Sequence, residues 1–148
     1  KHEQLYSKYL LHYSLSSLFM ELTQELLERI HSISSIPPHI HKIMDWIRHN
    51  YYLPMTVKSI AYDFNYNSNY LSSSFKVHTG ESLIHYINKT RIHIARNLLS
   101  TYDMSIKETA FSCGFNDEKY FMKLFRQFEG MTPTEYKRTF YKKKTNSQ

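Results

Sequence analysis

Apolar residues recur at helical spacing in two short runs between Ser105 and Arg138, and a glycine separates the runs. The first run begins at Ser105, which has Glu108 three residues further on, the spacing of a helix-capping box. Gly114 ends this run, because glycine adopts the left-handed conformation without steric cost. Asn116 is the candidate cap of the second run. The pattern predicts a short helix, a tight turn and a second helix, the arrangement known as a helix-turn-helix.

The second of these predicted helices has an apolar side and a basic side. Helical periodicity predicts that the buried side contains Tyr120, Phe121, Leu124, Phe125 and Phe128. It predicts that the exposed side contains Lys119, Met122, Lys123 and Arg126. After Pro133 a final helix is expected to turn Tyr136 inward. A helix divided in this way can pack on one side and enter a DNA major groove with the other. A packed helical hairpin without any role in DNA binding is the simpler interpretation of the same pattern.

The pattern occurs a second time upstream. Seven residues of the first copy match seven residues of the second copy at a constant offset of 49 positions. The first copy has Val57, Lys58, Ala61, Tyr62, Asn65, Tyr66 and Asn67, and the second has Ile106, Lys107, Ala110, Phe111, Gly114, Phe115 and Asn116. After a slip of one residue, the offset of 50 relates Tyr70, Leu71, Phe75 and Gly80 to Tyr120, Phe121, Phe125 and Gly130. Asn65 replaces Gly114, and asparagine tolerates the left-handed conformation better than other non-glycine residues. The repeat predicts two helix-turn-helix units, at about 39–80 and 105–141.

A predicted helix over residues 81–100 joins the two units. Twenty residues of helix span ~30 Å, close to the ~34 Å between adjacent major-groove segments on one face of DNA. The connector therefore has about the length needed to hold two recognition helices in successive grooves. Arg91 lies within its apolar side, where we expect it to need a carboxylate or a phosphate as a partner.

The front of the chain carries a wide apolar stripe at helical spacing. Its members are Leu11, Leu15, Leu18, Phe19, Leu22, Leu26, Leu27 and Ile30. A lone helix with such a stripe would not stay exposed to water. We expect homodimerisation through residues 5–33 or packing on a domain that is absent from this sequence, with folding back on its own chain as the alternative. Pro37 and Pro38 then end a linker, so the predicted regions are a helical tail over 1–35 and a tandem helix-turn-helix domain over 36–148.

Charge is distributed unevenly along the chain. The net charge is +6, yet residues 1–35 contain three Lys or Arg and four Glu, so the basic excess lies in residues 36–148. A basic second part predicts a polyanionic partner, which charge alone would allow to be nucleic acid, an anionic membrane or an acidic protein. A role on the membrane is disfavoured, because the basic residues do not border an exposed apolar face and no membrane-spanning run is present.

Several kinds of chemistry have no support in the sequence. The single cysteine, Cys113, cannot form an internal disulfide, which fits the reducing cytoplasm. The nine histidines do not fall at metal-ligand spacing, and neither a glycine-rich phosphate loop nor a nucleophile elbow is present. We therefore expect no metal, no cofactor and no enzyme activity. The chain begins at Lys1 without a methionine, so we expect it to be a piece of a longer polypeptide.

Residues 91–138 carry a resemblance to a known family. Their sequence resembles the signature of the AraC/XylS family of transcription regulators. The matching residues are Arg91, Ile92, Ala95, Leu98, Leu99, Ala110, Gly114, Phe115, Tyr120, Phe121, Phe125, Arg126, Gly130, Thr132, Pro133, Tyr136 and Arg138. The resemblance implies two helix-turn-helix subdomains that bind DNA. It also implies that residues 1–35 are the tail of an upstream regulatory domain, whose last helices commonly mediate dimerisation.

The candidate DNA contacts lie on the outer faces of the two recognition helices. Periodicity and the resemblance together select Asn69, Ser72, Ser73 and Lys76 in the first unit, and Glu118, Lys119, Met122, Lys123 and Arg126 in the second. Lysine can donate to guanine, asparagine can pair with adenine, and Met or Ser can contact a thymine methyl group. Lys58 and Lys107, at equivalent places near the start of each unit, suit phosphate contacts.

The sequence thus predicts an all-α protein in which a helical segment precedes seven helices arranged as two helix-turn-helix subdomains. The predicted function is a sequence-specific regulator of transcription that binds double-stranded DNA. The alternative is a protein-interaction module that docks on RNA polymerase or another regulator, because the first recognition helix has no arginine on its outer face. The sequence does not distinguish activation from repression.

Overall fold

The computed structural model describes residues 14–26 and 36–141, and every regular element in these ranges is a helix. The helices are α1 (residues 14–26), α2 (Pro38–Asn50), α3 (Val57–Asp63), α4 (Ser68–Thr79), α5 (Leu83–Thr101), α6 (Ile106–Ser112), α7 (Glu118–Glu129) and α8 (Pro133–Phe140). The prediction of an all-α fold is confirmed. The described residues fall into two separate regions, one that contains α1 and one that contains α2 to α8.

Helix α1 is amphipathic and its apolar side chains are exposed. Leu15, Leu18, Phe19, Leu22 and Leu26 follow one another at helical spacing along one side. Ser17 and Gln24 lie on the opposite side. At the edge of the apolar stripe, the Thr23 hydroxyl donates to the Phe19 carbonyl at 2.9 Å. The remainder of the segment predicted to associate, residues 5–13 and 27–33, lies outside the described residues.

Helices α2, α3 and α4 form the first helix-turn-helix unit. Their inward faces bury Ile40, Ile43, Ile47, Ile60, Ala61, Leu71 and Phe75. Thr56 caps α3 in a capping box with Ser59, and the Asn67 side chain caps α4. Asn65 has φ +58°, so it adopts the predicted left-handed conformation in the turn between the two helices. Asparagine therefore replaces glycine here without changing the geometry of the turn.

The connector α5 packs against helices of both units. It has 19 residues and is therefore ~28 Å long. Ser82 caps its first turn, and its buried side carries two polar residues, Asn88 and Arg91, among aliphatic side chains. The expectation of a carboxylate or phosphate partner for Arg91 is wrong, because its guanidinium donates to the backbone carbonyls of Tyr51 and Leu53, both at 2.8 Å.

Helices α6, α7 and α8 form the second unit against the C-terminal half of α5. One cluster of buried residues fills it, comprising Ile92, Ala95, Leu99, Ala110, Cys113, Phe115, Phe121, Leu124, Phe125 and Tyr136. The capping box of Ser105 and Glu108 is present. Its hydrogen bonds from Ser105 hold the pKa of the Glu108 carboxyl below its ordinary value. Gly114 has φ +82° and ends α6 as predicted.

Two details of the second unit differ from the sequence-based prediction. The cap of α7 is Asp117 rather than Asn116, because the Asp117 carboxylate accepts from the backbone N–H groups of Lys119 and Tyr120. Tyr120 does not belong to the buried stripe, since 47% of it is exposed. Its hydroxyl instead accepts from Asn88 Nδ2 on the connector, at 3.2 Å. The ring lies near that of Phe115, with 6.4 Å between the two centroids, and its polar end reaches a polar partner.

Candidate nucleic-acid interface

Helices α4 and α7 are built as two copies of one element. Each has 12 residues, begins at an Asn or Asp cap whose side chain accepts two backbone N–H groups, and ends at a left-handed glycine. Gly80 has φ +77° and Gly130 has φ +74°, which stops each helix at the same position of the repeat. The sequence repeat therefore corresponds to a repeat of local structure. In each copy, the second helix of the helix-turn-helix has the same length.

The outer face of α7 is polar and basic. Lys119, Met122, Lys123 and Arg126 are exposed, as periodicity predicted, whereas Glu118 is half-buried at the first turn. The opposite face buries Phe121, Leu124 and Phe125. These rings are in contact: the Phe115 and Phe121 centroids are 5.2 Å apart, and those of Phe121 and Phe125 are 5.6 Å apart. The aromatic core holds α7 so that its cationic side chains point away from the unit.

The outer face of α4 is polar but carries little charge. Asn69, Ser73 and Lys76 are exposed, and Ser72 is half-buried. Sequence reasoning missed two exposed residues on the same helix, Tyr70 (54% exposed) and Val77 (78% exposed). Tyr70 is the repeat equivalent of Tyr120, which periodicity predicts to be buried, but both tyrosines are about half exposed. The exposed surface of α4 therefore includes short polar side chains, one lysine, one tyrosine and one valine.

The first helices of the two units also match. Lys58 in α3 and Lys107 in α6 are both exposed in the first helical turn. Tyr62 and Phe111, which are 49 positions apart, are both exposed near the end of these helices, and Tyr62 is 83% exposed. In the sequence these two residues mark the repeat, but periodicity alone does not predict their exposure. Their exposure at equivalent positions is a further feature that the two units share.

Other chemistry finds little support in the described residues. Residues 14–26 and 36–141 contain no group of three His, Cys, Asp or Glu side chains placed to hold a metal ion. Within these same ranges no helix combines the length and hydropathy needed to cross a membrane. Burial raises the pKa of the Cys113 thiol to about 12, so this cysteine is a neutral packing residue at physiological pH.

Two recognition helices of equal length, each the second helix of a helix-turn-helix and joined through one connector, define a tandem helix-turn-helix domain. A family model described as a helix-turn-helix domain matches residues 53–139. The chain belongs to the AraC-type helix-turn-helix family of DNA-binding transcription regulators. It is 36% identical to the Escherichia coli protein named uncharacterized HTH-type transcriptional regulator YpdC, over 84% of this chain and 47% of that protein.

Solved structures share the same fold. The C-terminal domain of AraT, a response regulator from Geobacillus stearothermophilus, is 27% identical with a TM-score of 0.72, and the match covers 76% of this chain and 94% of that one. The DNA-binding domain of AdpA, solved with a target DNA, is 23% identical with a TM-score of 0.66, over 68% of this chain and 91% of that one. The chain spans about half the length of the curated relatives that it matches first.

Proposed function

We propose that residues 36–148 bind double-stranded DNA in a sequence-specific manner and insert α4 and α7 into successive major grooves. The observation that carries this proposal is the repetition of one capped, 12-residue helix on both sides of the connector. The connector is ~28 Å long, and successive major-groove segments are ~34 Å apart. The AdpA domain, which shares this fold, was solved in complex with a target DNA, and this supports DNA binding by a domain of the same fold.

The proposed contacts differ between the two units. In the second unit, Lys119 and Lys123 donate to guanine, while Met122 contacts a thymine methyl group and Arg126 and Glu118 lie at the ends of the contact. In the first unit, Asn69 pairs with adenine, Ser72 and Ser73 make short contacts, and Lys76 approaches the backbone. Lys58 and Lys107 contact phosphates that flank each groove. The second unit is therefore the stronger reader of base sequence.

Replacing Lys123 with alanine tests the assignment of base contacts. We expect Lys123→Ala to weaken binding to the best site by about 1–3 kcal/mol and to relax the preference at one base position. The measurement is fluorescence anisotropy against a site and its single-base variants. Lys89→Ala is the matched control, because Lys89 is an exposed lysine on α5 that pairs with Glu81 at 3.2 Å. An equal loss on every sequence would make Lys123 a phosphate contact.

We further propose that residues 1–35 are the tail of a regulatory region and that residues 5–33 form a homodimer. The apolar side of α1 is exposed along its described length, at Leu15, Leu18, Phe19, Leu22 and Leu26. A second copy of the same helix would cover this stripe and place two DNA-binding regions on one assembly. The dimer would act in the bacterial cytoplasm, where chromosomal DNA is accessible.

Charged substitutions on the two sides of α1 test the dimer. We expect the 148-residue chain to be dimeric at micromolar concentration, and Leu18→Glu with Leu22→Glu to make it monomeric, because the substitution buries two charges. Ser17→Glu with Gln24→Glu adds the same charge to the polar side and should leave the dimer intact. Sedimentation measures both. A monomeric unmutated chain, or equal effects of the two pairs, would contradict the proposal.

A protein-interaction module is the second candidate function. The observation that favours it is the outer face of α4, where Tyr70 and Val77 are exposed and Lys76 is the only lysine among the described residues of that helix. Such a face suits a protein surface, for example on RNA polymerase or another regulator, at least as well as it suits phosphate. The affinity of Val77→Ser for DNA discriminates the two functions. An unchanged affinity favours a protein contact at this face, whereas a loss of affinity favours a DNA contact.

A further inference from the structure

The loop that follows α2 in the first unit is held by an arginine of the connector. Arg91 is 8% exposed. Its Nε donates to the Tyr51 carbonyl and its Nη2 donates to the Leu53 carbonyl, both at 2.8 Å. Tyr51 is the cap residue directly after α2, at the helix end where carbonyls have no partner within the helix. Arg91 thus satisfies the end of α2 with a cation, the charge that a helix C-terminus favours.

The same guanidinium lies against the turn of the second unit. Its Cζ is 5.5 Å from the centre of the Phe115 ring, which follows Gly114 in the turn between α6 and α7. Gly114 is itself in contact with the loop of the first unit. A Cβ atom at position 114 would lie 2.7 Å from the Tyr51 carbonyl oxygen and 2.9 Å from that of Tyr52. The loop over residues 51–53 therefore packs directly on the turn of the other unit.

A second polar residue extends this contact to the recognition helix. Asn88 lies three residues before Arg91 on the same side of α5, and its Nδ2 donates to the Tyr120 hydroxyl at 3.2 Å. Tyr120 is in the first turn of α7, and its ring is 6.4 Å from that of Phe115. The two buried polar residues of the connector thus reach the α2–α3 loop on one side and the start of α7 on the other.

We propose that this junction, formed by residues 51–53, Arg91, Gly114 and Phe115, sets the number of base pairs that the protein requires between its two DNA boxes. The inference rests on the proposed DNA-binding function and adds the source of its spacing specificity. The connector packs against helices of both units, so bending or twisting of this one helix is enough to change the rotation of α4 relative to α7. The junction adds a direct contact between the two units, which restrains that motion.

Rotation matters because DNA is helical. Adding one base pair between two boxes increases their separation by ~3.4 Å and rotates one box relative to the other by about 35° around the DNA axis. Units that are locked together must strain to follow this change, whereas units that can rotate accommodate it. Arg91 acts in this account as a positioning residue, since it contacts no DNA and works through the loop and the turn. Its guanidinium suits the task because a rigid planar fork donates to two carbonyls at once.

The test compares duplexes that carry both boxes at the preferred spacing with duplexes one or two base pairs longer or shorter. The boxes come from sequences that the unmutated chain selects from random DNA, and each box is also measured alone. We expect the unmutated chain to lose about tenfold in affinity per base pair of misplacement, equivalent to 1.4 kcal/mol. Arg91→Met, which keeps the stem but removes the donors, should reduce this penalty to roughly twofold with single-box affinities unchanged within about twofold.

Two further variants separate positioning from stability. Arg91→Lys keeps the charge and a folded junction but lacks the planar fork, so it should fail to restore the full spacing penalty. Arg96→Met is the matched control, because Arg96 lies on the same helix and its partners stay within the second unit, the Tyr136 hydroxyl at 3.3 Å and the Glu129 carboxylate at 3.2 Å. It should destabilise that unit and leave the spacing penalty intact. Measurements are made below the melting transition of every variant.

The outcomes are distinguishable. Arg91 variants that bind both single boxes but no longer discriminate spacing support the junction. Arg91→Met and Arg91→Lys with the full spacing penalty overturn it, as does a penalty that Arg96→Met abolishes equally. An unmutated chain that binds two boxes at any spacing also overturns it, although DNA binding itself then stands. A chain that selects no DNA sequence overturns the proposed function and the junction together.

Discussion

Replacing Gly114 with alanine is expected to lower the free energy of unfolding by about 2–5 kcal/mol, as two independent costs add at this position. The first cost is conformational: Gly114 has φ +82°, a region that L-residues rarely occupy. The second is steric, because the added Cβ would meet the backbone oxygen of Tyr51 at 2.7 Å. A backbone oxygen cannot turn away as a side chain can, so the loop or the turn must shift. Chemical denaturation followed by circular dichroism measures the change.

Gly130→Ala and Gly80→Ala are the matched controls for this prediction. Both glycines have a similar positive φ, and a Cβ at either position would meet nothing within 4 Å. They should therefore show the conformational cost alone, about 1–2 kcal/mol. Asn65→Gly, at the equivalent turn of the first unit, should be mild or stabilising since its left-handed conformation suits glycine better. Equal losses for Gly114→Ala and Gly130→Ala would mean that the loop over 51–53 does not pack on Gly114.

Raising the salt concentration is expected to produce the largest change in DNA affinity. The proposed interface carries six cationic side chains, Lys58, Lys76, Lys107, Lys119, Lys123 and Arg126, all of them exposed. Lys119 and Lys123 are assigned to guanine, so the other four cations neutralise phosphates. Counterion release then predicts a loss of about 10²-fold in affinity between 50 and 200 mM salt. Anisotropy titrations at several salt concentrations measure the slope of log affinity against log salt.

Removing the proposed phosphate contacts should reduce that slope. Lys58→Gln with Lys107→Gln removes two cations, one from each unit, and should lower the magnitude of the slope by about 1.8. Lys89→Gln removes one exposed cation from the connector and should leave the slope unchanged. A flat response of the unmutated chain to salt would be incompatible with a DNA-binding interface of this size. It would favour the protein-interaction alternative.

The turns and caps of the fold could be predicted from the sequence because their causes are local. Gly114 and Asn65 each adopt the left-handed conformation that their residue types allow, and Ser105 forms its capping box with Glu108. The cap of α7 is Asp117, one residue after the predicted Asn116. Both side chains can cap a helix, and the choice depends on which backbone conformation the preceding turn leaves available. Local sequence therefore narrows the cap of α7 to Asn116 or Asp117, but it does not decide between these two neighbouring residues.

The junction could not be predicted, since its partners are distant in sequence and belong to the backbone. Arg91 bonds to carbonyls 38 and 40 residues away, and backbone carbonyls leave no residue-specific signal in a sequence. The exposure of Tyr120 has a similar origin, because periodicity does not show that its hydroxyl accepts a hydrogen bond from Asn88 Nδ2 on another helix. The outer faces of α4 and α7 were predicted more fully, as burial of their opposite faces follows from periodicity alone.

Selection of bound sequences from a random DNA pool tests the central proposal most directly. The pool should contain random stretches long enough to hold two boxes, and the full 148-residue chain should be used. The account predicts two enriched boxes about ten base pairs apart, centre to centre, with the more sharply defined box belonging to the basic helix α7. Enrichment of a single box, or no enrichment at all, would contradict insertion of two recognition helices into successive major grooves.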